Sequence, residues 1–303
     1  MSLSTQFKRT WKQVDGVLLL DKPIGLTSND ALQKVRRLFS AAKGGHTGTL
    51  DPLASGLLPL CFGEATKFSA DLLDADKTYE AELRLGVTTD SGDAEGQVTA
   101  TAPVSVSKSD VDDILSRFLG PIQQIPPMHS ALKRNGRPLY ELARKGIEVE
   151  REPRAVTIHG IDVLGFDGDR LSLRVACSKG TYIRVLAVDI GEALGCGAHL
   201  AALRRTVVGS LSLARAVSLV ELEAIDERER VEYLQPVDAL LHTLPIVTLE
   251  GEAAERFSHG NPVDLQDGLG GKIRVYADGR LIGVGEPGGD GRLWPKRLVQ
   301  LAS

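Results

Sequence analysis

The chain has 303 residues, a hydrophobic content of 42%, a charged content of 25% and a formal net charge of -4. This length predicts about two domains, and the composition is typical of a soluble globular protein. No stretch approaches the roughly 20 apolar residues of a membrane span, the N-terminus lacks the apolar core of a secretory signal, and three well-separated cysteines favour a reducing cytoplasm over a disulfide framework.

Three elements are predicted at the start of the chain. The segment "VDGVLLLDKP" (14–23) is typical of a short buried strand that ends at its proline. The next segment, 28–41, predicts a helix with Ser28 as its cap and its apolar side chains in one stripe. The glycine-rich stretch "GGHTGTLDPLASGLLPL" (44–60) then predicts a loop that carries Asp51.

Two further elements are predicted in the middle of the chain. Residues 78–86 alternate in polarity, which predicts a strand with Tyr79 on its inward face. Residues 109–120 predict a helix with Ser109 as its cap and a glycine at its end.

The segment 170–195 predicts a strand, a turn and then a helix that ends in glycine. If residues 181–186 are extended, Tyr182 and Arg184 share one face. An aromatic ring and a cation would then be displayed together, although a packed tyrosine beside a solvated arginine is an equally ordinary outcome.

After about residue 244 the pattern changes to short strands and tight turns, with Asp278–Gly279 as a hairpin signal. We therefore predict a first domain at 1–244 and a small β-rich domain at 245–303. The second domain is expected to bind rather than to catalyse, because no residue in it stands in a nucleophile motif. Its basic residues are Lys272, Arg274, Arg280, Arg292, Lys296 and Arg297.

Charge is segregated along the chain. Residues 1–45 hold eight Lys/Arg against three Asp/Glu, residues 71–118 hold four against eleven, and residues 121–155 hold seven against four. A globally acidic protein can thus present basic surfaces to a polyanion, although charge runs are usually solvated faces. The basic residues that cluster around a Gly-Arg-Pro turn are Lys133, Arg134, Arg137, Arg144 and Lys145.

Asp51 stands between a leucine and a proline, and the proline holds it in an extended conformation off any helix. A displayed carboxylate of this kind suits a nucleophile, a general base or a metal ligand, or it caps the segment that follows. A metal is disfavoured, because no His, Asp or Glu partner stands at ligand spacing in the window.

Other candidates keep two interpretations. His46, beside a glycine, is a ligand, a base or a loop hydrogen bonder, and Tyr79 on an apolar strand face is most often a core residue. The acidic stretch "TDSGDAEG" (89–96) lacks the spacing of a calcium loop, so we interpret it as a polar turn.

Six motifs occur in an order that resembles one family. They are "GVLLLDKPIGLTSNDAL", "GHTGTLDPLASGLLPLCFGEATKF", "DKTYEAELRLG", "QIPPMHSALKRNGRPLYELARKG", "CSKGTYIRVLAVDIGEALGCGAHL" and "LRRTVVG". Together they resemble the bacterial TruB family of tRNA pseudouridine-55 synthases. The resemblance implies an α+β fold with a mixed sheet and a central cleft, a basic RNA-gripping insertion near 121–155 and a PUA-like domain at the C-terminus.

The resemblance also implies roles for single residues. Asp51 matches the catalytic aspartate, and Arg184 matches the arginine that pairs with it. His46 matches the histidine that fills the space of the flipped base. The remaining matches are Tyr79, which stacks on the uracil, Tyr182 and Leu203, which line the uridine pocket, and Lys22 and Pro23, which support the site from beneath.

The expected reaction is therefore isomerisation of uridine 55 in the T loop of tRNA, by base flipping and attack of Asp51 on C6 of the base or C1′ of the ribose. No cofactor and no metal are expected, the partner is the T stem-loop, and a cytoplasmic monomer without membrane contact is predicted. Two other classes remain. An RNA-binding module would not need Asp51, and a hydrolase or phosphotransferase would need a second carboxylate or a metal beside it.

Overall fold

The computed structural model describes residues 10–128, 130, 132–134, 136–143, 145–265 and 268–300. The strands are β1 (Gly16–Lys22), β2 (Gly44–His46), β3 (Ala54–Phe62), β4 (Lys77–Leu85), β5 (Val87–Thr89), β6 (Val98–Thr101), β7 (Gly120–Gln124), β8 (Lys133–Arg134), β9 (Arg137–Pro138), β10 (Arg154–Asp167), β11 (Arg170–Cys177), β12 (Ala198–Val208), β13 (Leu211–Ser212), β14 (Val217–Ser218), β15 (Leu234–Gln235), β16 (Ile246–Thr248), β17 (Val263–Asp264), β18 (Ile273–Ala277), β19 (Arg280–Pro287) and β20 (Arg292–Leu298). The α-helices are α1 (Ser28–Leu38), α2 (Ser69–Leu73), α3 (Lys108–Ser116), α4 (Leu139–Ala143), α5 (Ile183–Ala193), α6 (Leu219–Ala224) and α7 (Gly251–Ser258), and 3-10 turns cover Gly63–Phe68, Leu213–Arg215, Arg230–Tyr233 and Val237–Leu241.

The larger sheet is mixed, as predicted. Its order is β14-β1-β3-β12-β4-β11-β10-β7, with β2, β13 and β15 paired at its side. β3 and β12 run parallel at its centre, and β4 lies antiparallel to β12 on the other side. Strand β1 is apolar from Val17 to Leu20 because both faces are covered there: Val17 and Leu19 lie in one hydrophobic cluster, and Leu18 and Leu20 lie in another.

Two predicted helix caps are wrong. Helix α1 is capped by Thr27, whose side chain accepts from the Asp30 N–H, so Ser28 is the first helical residue and its hydroxyl is used elsewhere. Helix α3 is capped by Ser107 rather than Ser109. Both errors have the same cause, since two neighbouring hydroxyl residues can each cap and only the backbone angles decide which one does.

The second sheet contains five strands in the order β16-β18-β19-β20-β17, with α7 packed against it. The predicted hairpin between β18 and β19 is confirmed, because Asp278 and Gly279 both have positive φ, as the tight turn requires. This sheet has its own hydrophobic cluster, but Leu281 and Val284 lie in the cluster that contains Val17 of the larger sheet. In the part of the chain that the structure describes, no helix is long and apolar enough to cross a bilayer.

Candidate active site

Asp51 lies in the connection between the paired strands β2 and β3. Strand β2 ends at His46, which is paired with Leu60 on β3, and β3 begins at Ala54. The residues between His46 and Ala54 form a short loop. The Asp51 carbonyl accepts from the Ala54 N–H at 3.0 Å, and the Pro52 carbonyl accepts from the Gly25 N–H at 2.8 Å. These two hydrogen bonds hold the loop at the carbonyl groups of Asp51 and Pro52. The Asp51 side chain itself is 46% exposed.

Ser28 anchors the same loop from helix α1. Its hydroxyl accepts from the Leu50 N–H at 2.8 Å and donates to the Leu50 carbonyl at 3.1 Å, and the side chain is buried. The residue that the sequence assigned to a helix cap therefore fixes the backbone one position before Asp51.

Arg184 makes the principal contact of the Asp51 side chain. Its Nη2 donates to Asp51 Oδ2 at 2.7 Å, and its Nη1 lies 3.0 Å from Asp93 Oδ2. The Arg184 and Asp93 side chains are only 7% and 4% exposed. The guanidinium thus bridges a displayed carboxylate and a buried one, and it fixes the orientation of Asp51 through a charge-assisted hydrogen bond.

Asp93 is a functional candidate that the sequence interpretation missed. Residues 89–96 do form a polar turn, but the Asp93 carboxylate points inward, where it accepts from Ser91 Oγ at 2.6 Å and from the Glu95 N–H at 3.1 Å. The acidic spacing of the turn was the available signal, and it does not distinguish a solvated aspartate from one that meets an arginine from a distant helix.

Arg184 stands in the first turn of helix α5, which begins at Ile183. The extended conformation considered for residues 181–186 is therefore wrong, and Tyr182 is instead the N-cap residue. The Tyr182 N–H donates to Gln124 Oε1 at 3.0 Å, and Gln124 Nε2 donates to the Tyr182 carbonyl at 3.3 Å. Burial raises the pKa of the Tyr182 hydroxyl, which keeps it protonated at neutral pH.

Tyr79 and Leu203 lie on adjacent strands beside the loop. Leu203 on β12 is paired with Ala54 on β3 and with Ala81 on β4, and Tyr79 on β4 is paired with Arg205. Tyr79 and Leu203 are both partly buried, and both pack against the two hydrophobic clusters that meet here. Burial raises the pKa of the Tyr79 hydroxyl, and the Arg205 guanidinium beside it opposes that shift.

His46 lies at the end of β2 with its Nδ1 atom buried, and that atom has no hydrogen-bond partner among the described residues. Burial lowers the pKa of His46, and the Arg205 charge lowers it further. The imidazole is therefore neutral at pH 7. A neutral, partly buried ring can pack beside bases and still offers one nitrogen for hydrogen bonding.

Two buried cations support the site from beneath. Arg205 is 1% exposed, and it donates from Nε to the Leu57 carbonyl at 2.8 Å and from Nη2 to the Gly48 carbonyl at 3.3 Å. Gly56 on β3 is paired with Arg205 on β12 and lets the two backbones lie close together, because a Cβ at Gly56 would lie 2.3 Å from the Arg205 carbonyl oxygen. The sequence interpretation did not single out Arg205, since the pattern of a strand does not say which arginine is buried.

Lys22 is the second buried cation. Its Nζ donates to the Pro23 carbonyl at 2.9 Å and to the Leu26 carbonyl at 2.7 Å, which ties the end of β1 to the turn before α1. Burial lowers the pKa of Lys22 to about 8, and the Asp51 charge opposes this. The supporting role that the sequence resemblance implied for Lys22 stays a prediction.

Three residues of the predicted basic cluster, Lys133, Arg134 and Arg137, lie on a separate ribbon of two short strands, and Lys145 follows helix α4. β8 and β9 are paired, with Arg134 opposite Arg137, and the Arg137 and Lys145 side chains are exposed. Lys133 is placed by its backbone in β8, and Arg144 lies outside the described residues. Over the described ranges, no group of three His, Cys, Asp or Glu side chains is arranged to hold a metal ion.

Three family models match the chain. They are described as TruB family pseudouridylate synthase (N terminal domain), which matches residues 36–183, tRNA pseudouridylate synthase B C-terminal domain, which matches 184–242, and Pseudouridine synthase II TruB, C-terminal, which matches 245–299. In the crystal structure of a Cbf5-Nop10-Gar1 complex, one chain is 29% identical with a TM-score of 0.69, and the match covers 89% of this chain and 78% of that one.

Bacterial relatives match over almost the whole chain. The tRNA pseudouridine synthase B of Dechloromonas aromatica (strain RCB) is 79% identical over 297 residues, which cover 98% of this chain and 99% of that protein. The protein of the same name from Aromatoleum aromaticum is 56% identical over 299 residues, with coverages of 99% and 97%. This chain therefore belongs to the TruB family of tRNA pseudouridine synthases, the isomerases that form pseudouridine in tRNA.

Proposed function

We propose that the enzyme isomerises uridine 55 in the T loop of tRNA, with Asp51 as its nucleophile. The observation that supports Asp51 as the nucleophile is the position of its carboxylate. The side chain is 46% exposed, it stands on a loop held by several backbone hydrogen bonds, and it contacts the buried Arg184 guanidinium. A carboxylate in this setting is charged, accessible and fixed in orientation, as a nucleophile must be.

A target base within a folded loop must leave its stack before Asp51 can reach it. Extrusion costs a few kcal/mol, and stacking on an aromatic ring returns about 1–3 kcal/mol. Tyr79 supplies that ring, and Leu203 and Tyr182 supply further walls beside the loop. The neutral His46 ring occupies the space that the base leaves in the RNA.

The reaction is an internal rearrangement. Asp51 adds to C6 of the base or to C1′ of the ribose, the C1′–N1 bond breaks, the base turns, and a C1′–C5 bond forms. The C5 proton is lost, N1 gains a proton, and Asp51 is released. Because substrate and product are isomers, the overall reaction needs neither an oxidant nor a group donor. Arg184 holds the Asp51 carboxylate in position before attack and after release through the 2.7 Å contact.

Hydrolysis by two carboxylates is the competing chemistry. The second carboxylate near Asp51 is Asp93, but its side chain is 4% exposed and contacts Arg184. A general acid or base must reach the reacting atoms within about 3 Å or through one water. A buried Asp93 supports Arg184 instead, which favours the isomerase.

Recognition of the T arm is assigned to two basic regions. We propose that the residues Lys133, Arg134, Arg137, Arg144 and Lys145 contact the RNA backbone. We also propose that residues 245–303 form a PUA-like RNA-binding domain, with 1–244 as the catalytic domain. The rest of the protein is acidic, so RNA should bind at the surfaces that carry these cations, because phosphate contacts dominate the affinity for RNA.

The test is incubation of the full chain with an unmodified tRNA transcript, followed by chemical mapping of pseudouridine. We expect one modified position, uridine 55, and no product in a transcript that carries cytidine there. Modification at another uridine would overturn the site specificity. Binding of the transcript without any pseudouridine would favour the binding module over the enzyme.

A further inference from the structure

Gln124 is a buried polar side chain at the end of β7, and both ends of its amide contact the main chain of one residue. It is 2% exposed. Its Oε1 accepts from the Tyr182 N–H at 3.0 Å, and its Nε2 donates to the Tyr182 carbonyl at 3.3 Å. A glutamine amide has one acceptor and one donor group in a fixed plane, so this pair of contacts fixes both position and orientation.

The contacts fall where helix α5 lacks a cap of its own. Tyr182 is the N-cap residue, and its side chain makes no capping hydrogen bond. The Tyr182 carbonyl already accepts the first helical hydrogen bond, from the Leu186 N–H at 3.0 Å. The start of a helix leaves N–H groups unsatisfied, and external partners then decide where the first turn lies. Gln124 is such a partner.

The first turn of α5 carries Arg184. Arg184 follows Tyr182 by two residues, so a shift of the Tyr182 main chain also shifts the Arg184 backbone. The Arg184 guanidinium, which contacts Asp51 at 2.7 Å and Asp93 at 3.0 Å, would move with it. Displacement of a reacting group by about 1 Å can lower a rate by about a hundredfold. The geometry of the Asp51 carboxylate therefore depends on an amide from a different strand.

We propose that Gln124 is a positioning residue of the reaction: it holds the Tyr182 main chain and thereby the Arg184–Asp51 ion pair. β7 is the edge strand of the sheet, where Gln124 is paired with Arg154 on β10, and the chain passes from Gln124 directly into the segment with the basic ribbon. Gln124 thus joins the base of the proposed RNA-gripping segment to the active-site helix. This inference rests on the proposed function.

The test uses Gln124→Met, which keeps the length of the side chain and removes both hydrogen bonds. Gln123→Met is the matched control, because Gln123 is the preceding residue on the same strand and is exposed. With tRNA saturating, we expect Gln124→Met to lower the single-turnover rate of pseudouridine formation at least tenfold, with the tRNA Kd within twofold of the parent. The control should match the parent in both.

A double-mutant cycle with Arg184→Lys tests whether Gln124 changes the rate of pseudouridine formation through Arg184. If Gln124 acts through Arg184, adding Gln124→Met to Arg184→Lys should lower the rate by less than threefold. A parental rate in Gln124→Met, a loss confined to tRNA affinity, or a full tenfold further loss in the double variant would each overturn the proposal.

Two additions keep the result decisive. Should Gln124→Met fail to fold by circular dichroism, Gln124→Glu replaces it and is judged by the same criteria, because it keeps the shape of the side chain but replaces the Nε2 donor with an oxygen that repels the Tyr182 carbonyl. Asp51→Asn is measured in the same assay. If that variant is active, the proposed function fails. If it is inactive while Gln124→Met has the parental rate, only the positioning role fails.

Discussion

Arg184 and Asp51 are 133 positions apart in the chain, yet Arg184 Nη2 donates to Asp51 Oδ2 at 2.7 Å. The arginine comes from the first turn of α5 and the aspartate from the loop between β2 and β3. The pair places a buried cation against an anion whose side chain is 46% exposed, so the carboxylate is held in position while much of its surface stays accessible.

Replacement of Asp51 with Asn keeps the shape of the side chain and removes its charge. We expect no detectable pseudouridine after prolonged incubation, because an amide is not a nucleophile, while tRNA binding stays within a few-fold of the parent. Single-turnover assays and filter binding measure the two quantities. Activity near the parental level would show that another group attacks the substrate.

Replacement of Asp93 with Asn removes the buried partner of Arg184. We expect the free energy of unfolding to fall by about 3 kcal/mol, because the guanidinium loses one of its two carboxylates within the protein interior. The rate of pseudouridine formation should fall as well, with tRNA affinity retained. Denaturant unfolding and single-turnover assays test this. Asp90→Asn is the control, because Asp90 belongs to the same turn but is exposed, and it should change neither the stability nor the rate by much.

Charge reversal in the basic cluster tests the proposed RNA contact. Arg137→Glu combined with Lys145→Glu should weaken tRNA binding and flatten the dependence of the Kd on salt, since each lost phosphate contact lowers the slope. The control is Lys108→Glu with Arg117→Glu, which changes the net charge by the same amount at two exposed positions of α3 and its C-terminal end. An unchanged slope in the Arg137→Glu, Lys145→Glu variant, or equal slopes in the two variants, would mean that the basic cluster is an ordinary solvated face.

The C-terminal sheet calls for substitution rather than deletion. Leu281 and Val284 share a hydrophobic cluster with the larger sheet, so removal of residues 245–303 would expose apolar surface as well as remove RNA contacts. Arg280→Glu with Arg297→Glu alters two exposed cations of this sheet instead. We expect KM for tRNA to rise with kcat nearly unchanged, as for a contact that is equal in the ground and transition states. A collapsed kcat at normal KM would instead mean that this sheet shapes the active site.

Asp189 on α5 gives a prediction about pH. Burial, together with the Glu192 charge, raises the pKa of Asp189 from 3.8 to about 6. Between these values the folded state binds more protons than the unfolded state, so the contribution of Asp189 to stability falls as pH rises from 4 to 6. Asp189→Asn lacks this loss. Its Tm relative to the parent should rise by about 2 °C between pH 4 and about pH 7 and stay constant above that, as thermal melts would report.

Glu192→Gln provides the control for this pH dependence. It removes the charge that raises the pKa of Asp189, so the loss of stability with rising pH should be smaller than in the parent. A Tm difference between Asp189→Asn and the parent that is independent of pH would contradict the assignment.

The C-terminal cations show why residue type alone did not predict their use. Lys272 pairs with Asp71 at 2.5 Å, and Arg274 is 7% exposed and donates to the Leu244 and His242 carbonyls. Both residues hold the second sheet against the body of the protein. The sequence placed them among six basic residues in one segment, and only the packing shows that Arg274 is buried while the other five are exposed.

What the sequence by itself determined was local. The alternation of residues 78–86 and the Asp278–Gly279 turn each constrain the backbone within a few residues, so the strand and the hairpin could be predicted. The loop predicted for 44–60 is correct only between His46 and Ala54, because the residues on either side pair as β2 and β3, and a glycine-rich pattern does not reveal that pairing. The motif resemblance added the Arg184–Asp51 pairing, which no local rule contains, and the structure brings these two residues together.

Only the tertiary structure decided which polar groups lie beneath the site. Asp93, Arg205 and Gln124 are ordinary polar residues in a turn and two strands, and their burial depends on sheet register, on the covering of both faces and on the first turn of a distant helix. Local patterns specify φ and ψ, because steric and hydrogen-bonding preferences act over a few residues. The partner of a buried charge depends on which strands become neighbours, and that is settled only when the whole sheet has formed.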